Sequence, residues 1–140
     1  MTRVVLDTNV LVSALIDDGK PRKLVLELLD KHTVISSRQM LAELADVVSR
    51  NKFSVTSGQV DRFLYSLVRM SQLMSDIARF KVVFEDPDDD VVLNTAYTER
   101  AEFIVTGDRH LLDLDKFKKT KIVTVNQMLE ILMQKQSPKH

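Results

Sequence analysis

The chain has 140 residues, 44% apolar and 29% charged, which suits one compact domain with a real core and leaves little room for a second. Its 20 basic and 20 acidic residues cancel, so any attraction to nucleic acid must come from local patches rather than net charge. The absence of cysteine excludes disulfides, thiolate zinc sites and cysteine nucleophiles, and fits a reducing cytoplasm.

No apolar run approaches the ~20 residues of a membrane span, so no membrane association is expected. The opening apolar stretch is interrupted by Asp7 and Asn9 and lacks a small-residue cleavage site, which argues against a signal peptide.

Val4-Val5-Leu6 reads as a strand buried on both faces. A short helix is expected over 9–16, a turn at 17–20, and a second helix opened by Pro21 with Leu24, Val25, Leu28 and Leu29 at helical spacing. Thr33-Val34-Ile35 is a second strand, with His32 structural at its start. Ser36 and Gln39 form a capping-box signal for a helix that buries Met40, Leu41, Leu44, Ala45 and Val48 and ends in the basic stretch at 50–52. Thr56 with Gln59 opens another helix, with Val60, Phe63, Leu64, Leu67 and Met74 on one face.

Lys81-Val82-Val83-Phe84 is a third expected strand. After it, Asp86 as N-cap and Pro87 at the first helical position start a helix whose early carboxylates face the positive end of its dipole. Strands at 103–106 and 122–123 follow, separated by Gly107 and a short helical turn at Leu111-Leu112. Thr124 with Gln127 caps a last helix through Met133, and 134–140 reads as a polar tail beyond a domain spanning 1–133. Short apolar strands alternating with helices predict a three-layer α/β/α sandwich around a mostly parallel sheet.

Ligand sites in such sheets lie beyond the carboxyl ends of the strands. Asp7 directly follows the first strand, Asp108 the fourth, and the acids at 86–90 the third. Glu43 lies two turns into the helix after the second strand, just outside its apolar arc. Asp90 lies beside the stripe of Val92, Leu93 and Ala96; the same phase also allows Asp89. Two carboxylates ~4 Å apart repel by ~4 kcal/mol at an effective dielectric of 20. Carboxylates gathered at one edge therefore either take up protons or hold a divalent cation. Oxygen-only ligands point to Mg²⁺ or Mn²⁺ rather than zinc, and a water retained by magnesium is a natural nucleophile for a phosphodiester.

The run Val4-Val5-Leu6-Asp7-Thr8-Asn9 resembles the opening strand and Asp-Thr-Asn signature of PIN domains. Leu41-Ala42-Glu43-Leu44 resembles the helix carrying that family's glutamate. Asp86-Pro87-Asp88-Asp89-Asp90 resembles its central acidic motif, and Thr106-Gly107-Asp108 its late Thr-x-Asp. The motifs occur in the family's order and cover nearly the whole chain, from Arg3 to about Met133.

The resemblance, nearest to toxin-like prokaryotic PIN proteins such as VapC, implies a five-stranded parallel sheet in order 3-2-1-4-5. It also implies RNA cleavage with one or two Mg²⁺ or Mn²⁺ ions, a small antitoxin partner and a homodimer. Carried over, Asp7, Glu43, Asp90 and Asp108 are the metal and catalytic set. Thr106 orients them, and Asn9 caps the first helix and holds the Asp7 loop, with Asp89, Thr8 and His110 as secondary candidates. His110 stands where many relatives carry an acid.

Simpler readings exist for each residue alone: Asp7 as a helix cap, Glu43 as a solvated helix residue, Asp108 as a turn residue, and Asp86 and Asp88 as capping acids. The lysines at 116, 118, 119 and 121, placed near the proposed acidic edge, read as a solvated loop or as phosphate contacts. Two other functions compete. A receiver-type phosphoacceptor domain would want an acidic pair after the first strand, where this chain has Thr8 and Asn9. A catalytically weak PIN-like module would bind only RNA or protein. The helix expected over Val60 to Met74 offers a dimerisation face, with Phe63→Glu as its test.

Overall fold

The computed structural model describes the backbone of residues 2–50, 55–74 and 87–136. The elements run β1 (Arg3–Leu6), α1 (Thr8–Ile16), α2 (Lys20–Lys31), β2 (Thr33–Ser37), α3 (Arg38–Arg50), α4 (Ser57–Met70), β3 (Gln72–Met74), α5 (Pro87–Thr98), β4 (Phe103–Val105), α6 (Arg109–Leu114), β5 (Lys116–Phe117), β6 (Thr120–Val123) and α7 (Val125–Gln136). They form one sheet in the order β3-β2-β1-β4-β6-β5. All neighbours are parallel except the two-residue β5, which pairs antiparallel with β6 at the edge.

Strand periodicity builds the layers. Val4, Leu6, Val34, Val105 and Val123 project to one face, where α1, α2, α4 and α7 cover them with Val10, Leu11, Leu24, Leu28, Leu67, Met128 and Leu132. Val5, Ile35, Ile104 and Ile122 project to the other, against Val92, Leu93 and Ala96 of α5 and Leu111 of α6. Because both faces are covered, the central strands read as continuous apolar runs rather than alternating ones. Helix α3 contributes Leu44 to the first cluster and Met40 to the second, so it sits where the two layers meet.

The sandwich and the 3-2-1-4-5 order of the parallel strands match the sequence reading, with two corrections. The third position is taken by Gln72–Met74, because α4 ends at Met70; Met74 is a strand residue and not part of the helix face. The expected strand at 81–84 lies outside the described residues, as does Asp86. The second correction is the added edge strand β5.

Helix ends are satisfied largely as expected. Thr56 and Gln59 exchange both capping-box hydrogen bonds, as do Thr124 and Gln127. At α3 the cap is shifted: β2 extends to Ser37, whose Oγ accepts from Met40 N at 3.1 Å, while Ser36 Oγ is buried without a partner. The Arg22 guanidinium closes the C-terminus of α1, donating to Ala14 O and Leu15 O at 2.8 and 2.9 Å.

Candidate functional site

Strands β1 and β4 lie side by side with Leu6 opposite Val105. One residue beyond, Asp7 N donates to Val105 O at 3.0 Å, and Thr106 N donates to Val123 O at 3.0 Å. The chain therefore leaves both strands at the same edge, and Asp7 and Thr106 meet there.

Asp7 is the N-cap of α1, its Oδ1 accepting from Thr8 N at 2.8 Å. Its Oδ2 accepts from the Thr106 hydroxyl at 2.7 Å and from Asn9 Nδ2 at 3.2 Å. Only 7% of Asp7 is exposed, so these donors replace much of the water that the carboxylate loses. The Thr106 oxygen in turn accepts from Asp108 N at 3.0 Å, so a single buried hydroxyl ties the Asp7 carboxylate to the backbone of Asp108. Asn9 Oδ1 accepts from Gly107 N at 3.3 Å. Asp108 caps α6, accepting from His110 N at 2.8 Å, which fixes its carboxylate beside the same loop.

Asp7, Asn9, Thr106 and Asp108 are thus gathered by the fold. Asn9 departs from one of its two expected roles: Asp7, not Asn9, is the helix cap, while Asn9 does hold the Asp7 loop, bridging Asp7 to the loop after β4. His110 contributes its backbone N–H and is exposed. Thr8, a secondary candidate, is buried with its Oγ1 unpartnered.

Glu43 is half-buried on α3, and Asp90 is half-buried in the first turn of α5. Helix α3 packs on α1, β2 and α5, while α5 packs on β1 and β2. Among the described residues, no three Asp, Glu or His side chains form an assembled metal-binding group. The side chain of Asp89 lies outside the described residues.

The lysines are also displaced from expectation. Lys118 and Lys119 form the turn between β5 and β6, at the amino end of the parallel strands and opposite the acidic edge.

The PIN domain family model matches residues 3–110, most of the chain. The chain belongs to the PIN-domain family, whose members are in general nucleases. A relative from Methanocaldococcus jannaschii, the uncharacterized protein MJ1680, is 33% identical over 131 residues, covering 89% of this chain and 83% of its own length.

Two solved structures share the PIN fold. VapBC2 from Rickettsia felis, crystallised bound to a DNA fragment from its promoter, aligns with a TM-score of 0.63 at 17% identity over 88% of this chain and 98% of that one. PAE2754 from Pyrobaculum aerophilum aligns with a TM-score of 0.59 at 16% identity over 95% and 90%. The oxygens at the candidate site belong to carboxylates, a hydroxyl and a carboxamide, the ligand chemistry of a hard divalent cation.

Proposed function

We propose that this PIN domain is a metal-dependent endoribonuclease and the toxin of a toxin–antitoxin pair, acting in the cytoplasm. The observation that carries the reading is the buried Asp7 carboxylate tied through Thr106 to Asp108 at the carboxyl ends of adjacent parallel strands. Asp7, Glu43, Asp90 and Asp108 would hold Mg²⁺ or Mn²⁺, with Asp89 as a further candidate. When bound, such a cation polarises the phosphodiester and lowers the pKa of a water.

The chain's own contribution is orientation. Donors on both oxygens hold the Asp7 carboxylate in one orientation. Thr106 sets the spacing between the exits of β1 and β4, and Asn9 braces the loop at Gly107. No side chain needs to form a covalent intermediate.

A small antitoxin belongs to the same proposal, supported by fold likeness to a VapBC complex, and so does a homodimer. Phe63 packs against the core cluster, so Phe63→Glu would test stability rather than association. Val68, half exposed on α4, is the position at which a glutamate would test the dimer by sedimentation.

The decisive experiment is cleavage of end-labelled RNA with Mn²⁺ or Mg²⁺. Cleavage should stop with EDTA and fall more than about 100-fold in Asp7→Asn, while circular dichroism shows a retained fold. Normal cleavage by Asp7→Asn would end the proposal.

A further inference from the structure

At the end of the sheet opposite the acids lies a recess of about 980 Å³, lined by the last turn of α5, the segment leading into β4 and the β5–β6 turn. Its charged lining is three cations, Arg100, Lys118 and Lys119, and one acid, Glu102. That acid is engaged at its side: Glu102 Oε1 accepts from Arg3 N at 3.3 Å, and Oε2 lies 3.8 Å from Lys135 Nζ. Tyr97 supplies an aromatic side chain that is 43% exposed.

Two of the three cations occupy backbone positions that disfavour any side chain. Arg100 has φ 55° and Lys118 φ 56°, both left-handed. Lys118 is the first of two residues joining β5 to β6, a place where tight hairpins commonly use glycine. The chain carries only three glycines and puts none of them here, holding a guanidinium and an ammonium on strained backbone instead. Lys118 Nζ lies 5.9 Å from the Phe117 ring centroid.

We infer that this recess is a second RNA-binding subsite, in which Tyr97 stacks on a base and Arg100, Lys118 and Lys119 hold the flanking phosphates. An exposed aromatic beside clustered cations is how proteins bind single strands without reading sequence. Net charge supplies no such attraction, so a local patch must provide it. From Ala101 to Asp108 is seven residues, at most ~23 Å of extended chain at ~3.3 Å per residue. A stacked strand at ~3.4 Å per nucleotide needs roughly seven nucleotides to reach both ends of the sheet. The subsite would thus anchor a substrate at a distance from its cut. The identity of the ligand as RNA rests on the nuclease reading.

The test is fluorescence anisotropy of a labelled 12-nucleotide single-stranded RNA in EDTA, so that binding is scored without cleavage. The variant Arg100→Gly/Lys118→Gly/Lys119→Ala removes the cations while giving glycine to the two strained positions, and its thermal midpoint should not fall. It should weaken binding at least 10-fold and reduce the slope of log affinity against log salt by about 2, at ~0.7 per single-strand phosphate lost. Tyr97→Ala should weaken binding roughly 5- to 150-fold and Tyr97→Phe should restore it.

An unchanged salt slope in the triple variant, or wild-type binding by Tyr97→Ala, overturns the subsite. Adenosine monophosphate competing as well as the 12-mer overturns the strand and leaves a mononucleotide pocket. The nuclease reading fails separately: a protein that cleaves nothing yet shows these binding losses keeps the subsite, and one that cleaves while its pocket variants bind normally loses it.

Discussion

Replacing Thr106 with valine isolates the hydroxyl that joins the two halves of the candidate site. The side chain is fully buried, and valine keeps its shape. Two hydrogen bonds disappear: the 2.7 Å donation to Asp7 Oδ2 and the 3.0 Å acceptance from Asp108 N. A hydrogen bond to a charged acceptor contributes about 1.5–3 kcal/mol, and leaving the Asp108 N–H without this acceptor costs about 1 kcal/mol more. The added methyl group offsets up to about 0.8 kcal/mol. The net loss is therefore about 2–3 kcal/mol, which at a urea m-value of about 2 kcal/mol/M lowers the unfolding midpoint by about 1–1.5 M.

Thr106→Ser keeps the hydroxyl and loses one methyl, for about 0.5–1.5 kcal/mol. RNA cleavage should fall steeply in the valine variant and be largely retained in the serine variant. A midpoint shift under about 0.3 M for valine, or equal losses in both variants, would refute the idea that this hydroxyl organises the site.

Three further outcomes are expected. If Asp7 helps to hold a divalent cation, Mn²⁺ at 100 times its Kd should stabilise the wild-type chain by about 2.7 kcal/mol in thermal melts, and Asp7→Asn should lose that increment. Leu93 on α5 is completely buried against the sheet, so Leu93→Ala should cost about 2–5 kcal/mol in urea unfolding.

His32 accepts a hydrogen bond from Thr2 N at Nδ1, and burial, reinforced by nearby positive charge including Lys135 and Lys31, holds its pKa below the ordinary value of 6.5. As pH falls below about 6.5 the unfolded chain takes up this proton first. The stability present above that pH is then lost as pH drops through the folded value. Urea midpoints at pH 7.5 and 5.5 should show a smaller acid loss in His32→Gln than in the wild type.

The sandwich was legible because its central strands are buried on both faces. Val4-Val5-Leu6 and Phe103-Ile104-Val105 could hardly be anything else once helical periods flanked them. The edges were not. Gln72–Met74 is too short to show an alternation, and Met74 falls seven residues after Leu67, a spacing that also fits a helix. The pair Lys116–Phe117 exists as a strand only because β6 lies beside it.

At the site, Asp7 and Asp108 could be placed from the rule of strand ends, since each follows a central strand directly. Glu43 and Asp90 are set by helix phase and by how α3 and α5 tilt on the sheet, which residue spacing leaves open. The strap made by Asn9 depends on a contact across 98 positions in the chain, and no local pattern encodes it. The basic turn was seen as a run of lysines, but its end of the sheet follows from the direction of β6.

The double duty of Asp7 bears on how such a chain would decay. Its carboxylate both begins α1 and receives the strand exit through Thr106, so losing it costs a cap of about 1 kcal/mol and leaves buried donors unanswered. If the nuclease proposal holds, a lineage that gave up cleavage would still need an oxygen-bearing cap, aspartate or asparagine, at this position for folding. The opening Asp-Thr-Asn would then outlast the chemistry it serves, and its presence alone would not tell an active copy from a retired one.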